Sequence, residues 1–157
     1  MRQSATLPGW RFSSKMGRRD DPMTQPYPIA VMDGTCALCA FGARMVHRMD
    51  RSGDIRIAPI QGRTGAALMA AHDLDPLDPD SWLFIEEDGT VWRDFDAMIR
   101  LGCRTGGLGW LLQGLRVFPR PLRDWMYRRI ARNRYAMFGR GDICAIPDAG
   151  LQARLLP

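Results

Sequence analysis

The sequence has no apolar run near the ~20 residues a membrane-spanning helix needs, so no stable membrane insertion is expected. It has four cysteines in 157 residues, too few for a disulfide scaffold at this length. It has two histidines, and neither builds a metal site with the cysteines. His47 falls far along a helix from the first cysteine pair, and His72 ends another. There is no internal repeat and no low-complexity tract. Nearly half the chain is apolar, which is the composition of a globular domain rather than a disordered one. The net charge of +5 permits an acidic partner without requiring one.

Residues 1–22 differ from the rest. Arg2, Arg11, Lys15, Arg18 and Arg19 are scattered among Ser, Gly and Gln, with no apolar core of a secretory signal. A disordered tail, or a start assigned too far upstream of Met23, is expected there. Residues 23–157 are expected to form one domain. With no signal recognised, the expected location is cytoplasmic.

The chemistry centres on Asp33-Gly34-Thr35-Cys36-Ala37-Leu38-Cys39. An apolar run, residues 29–32, leads in, and a helical pattern over residues 35–50 leads out. Residues i and i+3 of a helix share a face, within the range a disulfide can bridge. The first helical turn carries unpaired N–H groups and partial positive charge, which favours thiolate over thiol. The thiolate attacks disulfides. Cys36, nearer the helix start, is therefore the expected nucleophile, and Cys39 the resolving thiol. Asp33 has two readings: a partly buried carboxylate of raised pKa that takes a proton from Cys39, or an acceptor for the N–H groups of the turn.

The remaining pattern organises around this turn. Residues 54–60 alternate as a second strand, and residues 63–72 form a short helix. The aspartates of residues 73–80 lack the Gly and Glu of a calcium loop and read as solvated. Asp88-Gly89 between two β-like runs predicts a hairpin. A helix follows over residues 95–103. Residues 110–118 read as a core helix or, alternatively, a surface patch. Leu122, Trp125, Met126 and Ile130 form an apolar helical stripe, with the arginines of residues 116–140 on the solvated side. On helix one, Phe41, Met45 and Met49 mark the apolar side, joined by Leu38 and Val46. The order β-α-β-α-β-β-α, then a helical extension, predicts a thioredoxin-like α/β fold with a four-stranded mixed sheet.

The residues also resemble a known family. Asp33-x-x-Cys36-x-x-Cys39 is similar to the signature of the DCC family of thiol-disulfide oxidoreductases. So are Asp50-Arg51-x-Gly53, Phe118-Pro119-Arg120-Pro121-Leu122-Arg123-Asp124 and Asn133-Arg134-Tyr135-x-x-Phe138-Gly139. Asp142-x-Cys144 is similar to the family's C-terminal cysteine motif, which leaves a second redox or packing role open for Cys144. The family often carries a Ser between hairpin and third helix, where this chain has Arg93-Asp94-Phe95-Asp96. Thioredoxins place a cis-proline just before the third strand, and Pro79 lies too far ahead of Trp82 to match it.

The resulting expectation is an enzyme of thiol-disulfide exchange with Cys36, Cys39 and Asp33 as site residues. Its substrate is a disulfide-containing protein or a small-molecule thiol. No cofactor is implied, because the cysteines themselves cycle. A reducing glutathione pool would favour the reductase direction. One rival is a zinc-binding module using Cys36, Cys39, Cys103 and Cys144. Another is a basic adaptor for an acidic partner, although no nucleic-acid motif is present and no nucleic acid is expected.

Overall fold

Ile29–Met32 (β1) is the centre of the sheet, and all four residues are buried. Ile29 and Val31 pack on one face with Ala58, Leu83, Leu68 and Met69. Ala30 and Met32 pack on the other with Ile57, Phe84 and Ala43. Alternate side chains of a strand point to opposite faces. Because helices cover both faces, the strand is apolar throughout rather than alternating. The computed structural model describes residues 27–77 and 81–157. The expectations for residues 1–22 and for Pro79 lie outside the described residues.

After β1 come α1 (Ala37–Met49), β2 (Arg56–Pro59), α2 (Arg63–Ala71), β3 (Leu83–Ile85) and β4 (Val91–Arg93). Then follow α3 (Asp94–Thr105), a 3-10 helix (Gly107–Val117), α4 (Arg120–Phe138) and α5 (Ala149–Gln152). The sheet order is β2-β1-β3-β4. β1 and β2 are parallel, with Ile29 opposite Arg56 and Met32 opposite Pro59. β3 is antiparallel to β1, and β4 to β3. This is the thioredoxin-like α/β plan, with a four-stranded mixed sheet and a helical C-terminal extension. α1 and α3 cover one face and α2 the other. α2 lies so close over β2 that a Cβ on Gly65 would sit 2.0 Å from the Pro59 carbonyl oxygen.

The C-terminal residues complete the sheet edge. Ile57 donates its N–H to the Arg154 carbonyl, and Leu156 donates to the Ile57 carbonyl. Arg154 also reaches back under the chain and pairs with buried Asp50 at 2.5 Å.

Three faces differ from the sequence pattern. On α1 the buried residues are Ala40, Ala43 and Val46, while Phe41 is 59% exposed. The inward row is set by Cys36: residues 36, 40, 43 and 46 follow helical spacing from it. The expected core helix at residues 110–118 is a 3-10 helix with Trp110, Leu111, Val117 and Phe118 exposed. On α4 the inward row is Tyr127, Ala131 and Arg134. Leu122 and Trp125 of the expected stripe are exposed, because α4 docks through Tyr127 and Ala131 onto Phe95 of α3. Among the described residues, no helix is long and apolar enough to cross a membrane.

Candidate active site

β1 ends at Met32, and the next residue, Asp33, is 3% exposed. The chain turns through Gly34 and Thr35, and Cys36 is the N-cap of α1 in extended conformation. The first turn of α1 has no acidic residue. Cys36 and Cys39 approach to 3.7 Å. Both are free thiols. They differ in exposure: Cys36 is completely buried, while Cys39 is half-buried.

Burial pushes the Cys39 thiol up to about 12, and charge and hydrogen bonding at Cys36 push it the same way. The Asp33 carboxylate adds to this, and the Arg134 cation partly offsets it. Cys39 is held as a thiol.

Asp33 is the anchor of the turn. One carboxylate oxygen accepts from the Thr35 N–H at 2.8 Å, the Thr35 hydroxyl at 2.9 Å and the Gln61 amide at 2.7 Å. The other accepts from the Arg134 guanidinium at 3.0 Å and from the Tyr135 hydroxyl. Gln61, just after β2, also accepts the Gly34 N–H through its carbonyl oxygen at 2.8 Å. Burial alone would raise the Asp33 pKa. The hydrogen bonds from Tyr135, Thr35 and Gln61 outweigh it and hold the carboxyl below its ordinary range. The expectation of a raised Asp33 pKa is therefore corrected, and the N–H acceptor reading matches the observed contacts.

Arg134 was expected on the solvated side of its helix. It is instead 5% exposed, with its guanidinium 4.9 Å from the Tyr135 ring centroid. The helical spacing of Tyr127, Ala131 and Arg134 is the sequence signal for this position. Gln61 carries no comparable signal, since its partner Asp33 is remote in sequence.

The other cysteines do not join the pair. Gln113 donates to the Cys103 sulfur at 3.0 Å. Cys144 is exposed and borders a shallow cleft of about 290 Å³ with Gly34, Thr35 and Gln61. Among the described residues, no three His, Cys, Asp or Glu side chains converge as a metal site requires. The four-thiolate reading of Cys36, Cys39, Cys103 and Cys144 is corrected on that geometry. His47 faces Asp148 at 3.5 Å, away from the pair.

Two buried carboxylates make the fold acid-sensitive. Burial raises the Asp50 pKa, but hydrogen bonds from Ser52, Arg154 and Ile55 lower it further, so the net shift is downward, as for Asp33. A depressed folded-state pKa stabilises fully above the unfolded value of about 3.9 and is lost as pH falls through the folded value. The midpoint of thermal unfolding should therefore stay level toward neutral pH and fall steeply below about pH 4. Circular dichroism melts across pH 2–7 check this, and Asp33→Asn should flatten the acid limb.

A family model described as DCC1-like thiol-disulfide oxidoreductase matches residues 30–140. The uncharacterized protein YuxK of Bacillus subtilis is 33% identical over 132 residues, spanning 84% of this chain and 96% of that protein. A chloroplastic DCC family protein of Arabidopsis thaliana is 32% identical over 123 residues, spanning 76% of this chain and 69% of that one. No solved structure matches the chain.

Proposed function

The chain belongs to the DCC1-like thiol-disulfide oxidoreductase family, and from that premise we propose that it exchanges disulfides through Cys36 and Cys39. The carrying observation is the asymmetry of two adjacent free thiols at a helix start, with Cys39 held protonated. The Cys36 thiolate attacks one sulfur of a substrate disulfide. A Cys36–substrate bond forms, the substrate bond breaks, and the leaving sulfur takes the electron pair as thiolate. Cys39 then loses its proton and attacks the Cys36 sulfur. The Cys36–Cys39 disulfide forms and the second substrate thiolate departs. The substrate gains two electrons and the chain loses two, and an external dithiol restores it.

Bonding between Cys36 and substrate removes one of the lesser influences that raise the Cys39 thiol, while burial, the largest, remains. Asp33 acts as a positioning residue in this scheme. Its oxygens already accept five hydrogen bonds from four residues, so a proton released by Cys39 goes to the leaving thiolate or to solvent.

The test is a trap. Cys39→Ser should accumulate a mixed disulfide between Cys36 and an added disulfide substrate, seen as an adduct by intact mass and mapped to the Cys36 peptide. An adduct on Cys103 or Cys144 instead, or none, would sink the assignment.

A further inference from the structure

The thiol assigned to attack is the one no solvent reaches. Cys36 is 0% exposed, and what crosses it is the chain's own segment from Gly139 to Ile143. Gly141 donates its N–H to the Thr35 carbonyl at 3.0 Å, and Ala37 donates to the Gly139 carbonyl at 3.3 Å. Ile143 donates to the Gly34 carbonyl at 2.9 Å. Cys36 and Arg140 face each other in an isolated antiparallel bridge. The bonds flank this pair instead of joining it, which defines a non-hydrogen-bonded pair. Such partners have side chains on one face and Cα atoms about 4.5 Å apart. A disulfide spans Cα separations of about 4.4–6.8 Å. A cysteine in the register of Arg140 would therefore lie at bonding distance from Cys36.

The segment is shaped to sit there. Gly139 has φ +79°, a left-handed value that ends α4 and turns the chain across the site. A Cβ on Gly141 would meet the Ala37 Cα at 2.8 Å. Ile143 is buried and anchors the far end. Arg140 itself is exposed, with its guanidinium over the Tyr135 ring.

We propose that this strap holds the place of the substrate, and that the substrate is an extended polypeptide whose disulfide-bonded cysteine takes the register of Arg140. The proposal rests on the exchange reading of Cys36. Lifting the strap strands the Gly34 and Thr35 carbonyls and the Ala37 N–H, and leaving such groups unpaired is unfavourable. An extended backbone replaces the two bonds that flank the Cys36–Arg140 pair, as in strand addition to a sheet edge. A disulfide without peptide groups on either side cannot. Exposed Phe41, one turn beyond Ala37, and exposed Met137 and Phe138, just before Gly139, supply apolar contact for the peptide's side chains. The Cys36 thiolate then bonds to the peptide cysteine's sulfur, and the sulfur formerly bonded there leaves with the electron pair.

Two measurements test this on the full chain. Arg140→Cys combined with Cys39→Ser, under mild oxidation, should join the introduced thiol to Cys36, read by peptide mass. If Cys36 and the introduced thiol both stay alkylatable, the register is wrong. In the second, a short peptide carries one cysteine as a mixed disulfide with a chromogenic thiol. It should be processed about tenfold or more faster than the same disulfide on 2-mercaptoethanol, which has no peptide group. N-methylation of the residue after the cysteine, in the register of Gly141, should remove most of that advantage. Methylation one residue further should not. Equal rates for the peptide and the mercaptoethanol disulfide would overturn the strap proposal alone. Release no faster than by Cys36→Ser would overturn the exchange reading, and the strap proposal with it.

Discussion

Replacing Cys36 with serine should lower disulfide exchange by about 1,000-fold or more. The two side chains have the same shape, so the fold around a fully buried position is kept. What changes is the nucleophile. A serine hydroxyl does not ionise near neutral pH, and a helix N-terminus stabilises only a charge that is present. Cys39 cannot substitute for it. Its thiol is pushed up to about 12, chiefly by burial, and it sits one turn inside the helix, away from the N-cap. Cys103 and Cys144 belong to other surroundings, and their replacement by serine should leave the rate within about twofold. A standard turnover assay with a protein disulfide, run on all four single variants, gives the comparison. Substantial activity in Cys36→Ser would mean that another group attacks.

Arg134→Leu should destabilise the fold by about 3–5 kcal/mol, the usual cost of removing one partner of a buried ion pair. Both side chains are inaccessible, at 6% for Arg134 and 2% for Asp33, so solvent screening gives little relief. The pair links residues 101 apart in sequence. It pins the C-terminal half of α4 against the turn that carries the cysteines. Removing the guanidinium leaves the Asp33 carboxylate buried with its neutral donors and no compensating charge. The double variant Arg134→Leu with Asp33→Asn should recover part of the loss, because the buried charge goes with its partner. Urea unfolding of the three chains measures both effects. If Arg134→Leu alone costs under about 1 kcal/mol, the ion pair does not anchor the turn.

What the sequence made legible was local. The apolar run before Cys36, the CxxC spacing and the Asp88-Gly89 hairpin each act over a few residues, and each appears in the structure where expected. The order of these elements then constrains the sheet. Facing was less legible. Phe41, Met45 and Met49 are larger and more apolar than Ala40 and Ala43, so a helical-periodicity reading follows them. The small residues face inward because the helix starts at a buried Cys36 and must lie close on the sheet. Arg134 was hidden for a different reason. A charged residue reads as solvated until its partner is known, and Asp33 lies on the other side of the domain in sequence. The strap over Cys36 was equally hidden, since its bonds are backbone to backbone and leave little trace in side-chain pattern.

The most direct measurement is a redox titration of the pair. The chain is equilibrated in dithiothreitol buffers of stepped potential and alkylated, and each cysteine is read by peptide mass. The exchange account predicts one reversible two-electron transition, confined to Cys36 and Cys39, between about −120 and −270 mV. Cys103 and Cys144 should remain alkylatable throughout. No transition at Cys36 and Cys39, or a disulfide that recruits Cys103 or Cys144 instead, would contradict it.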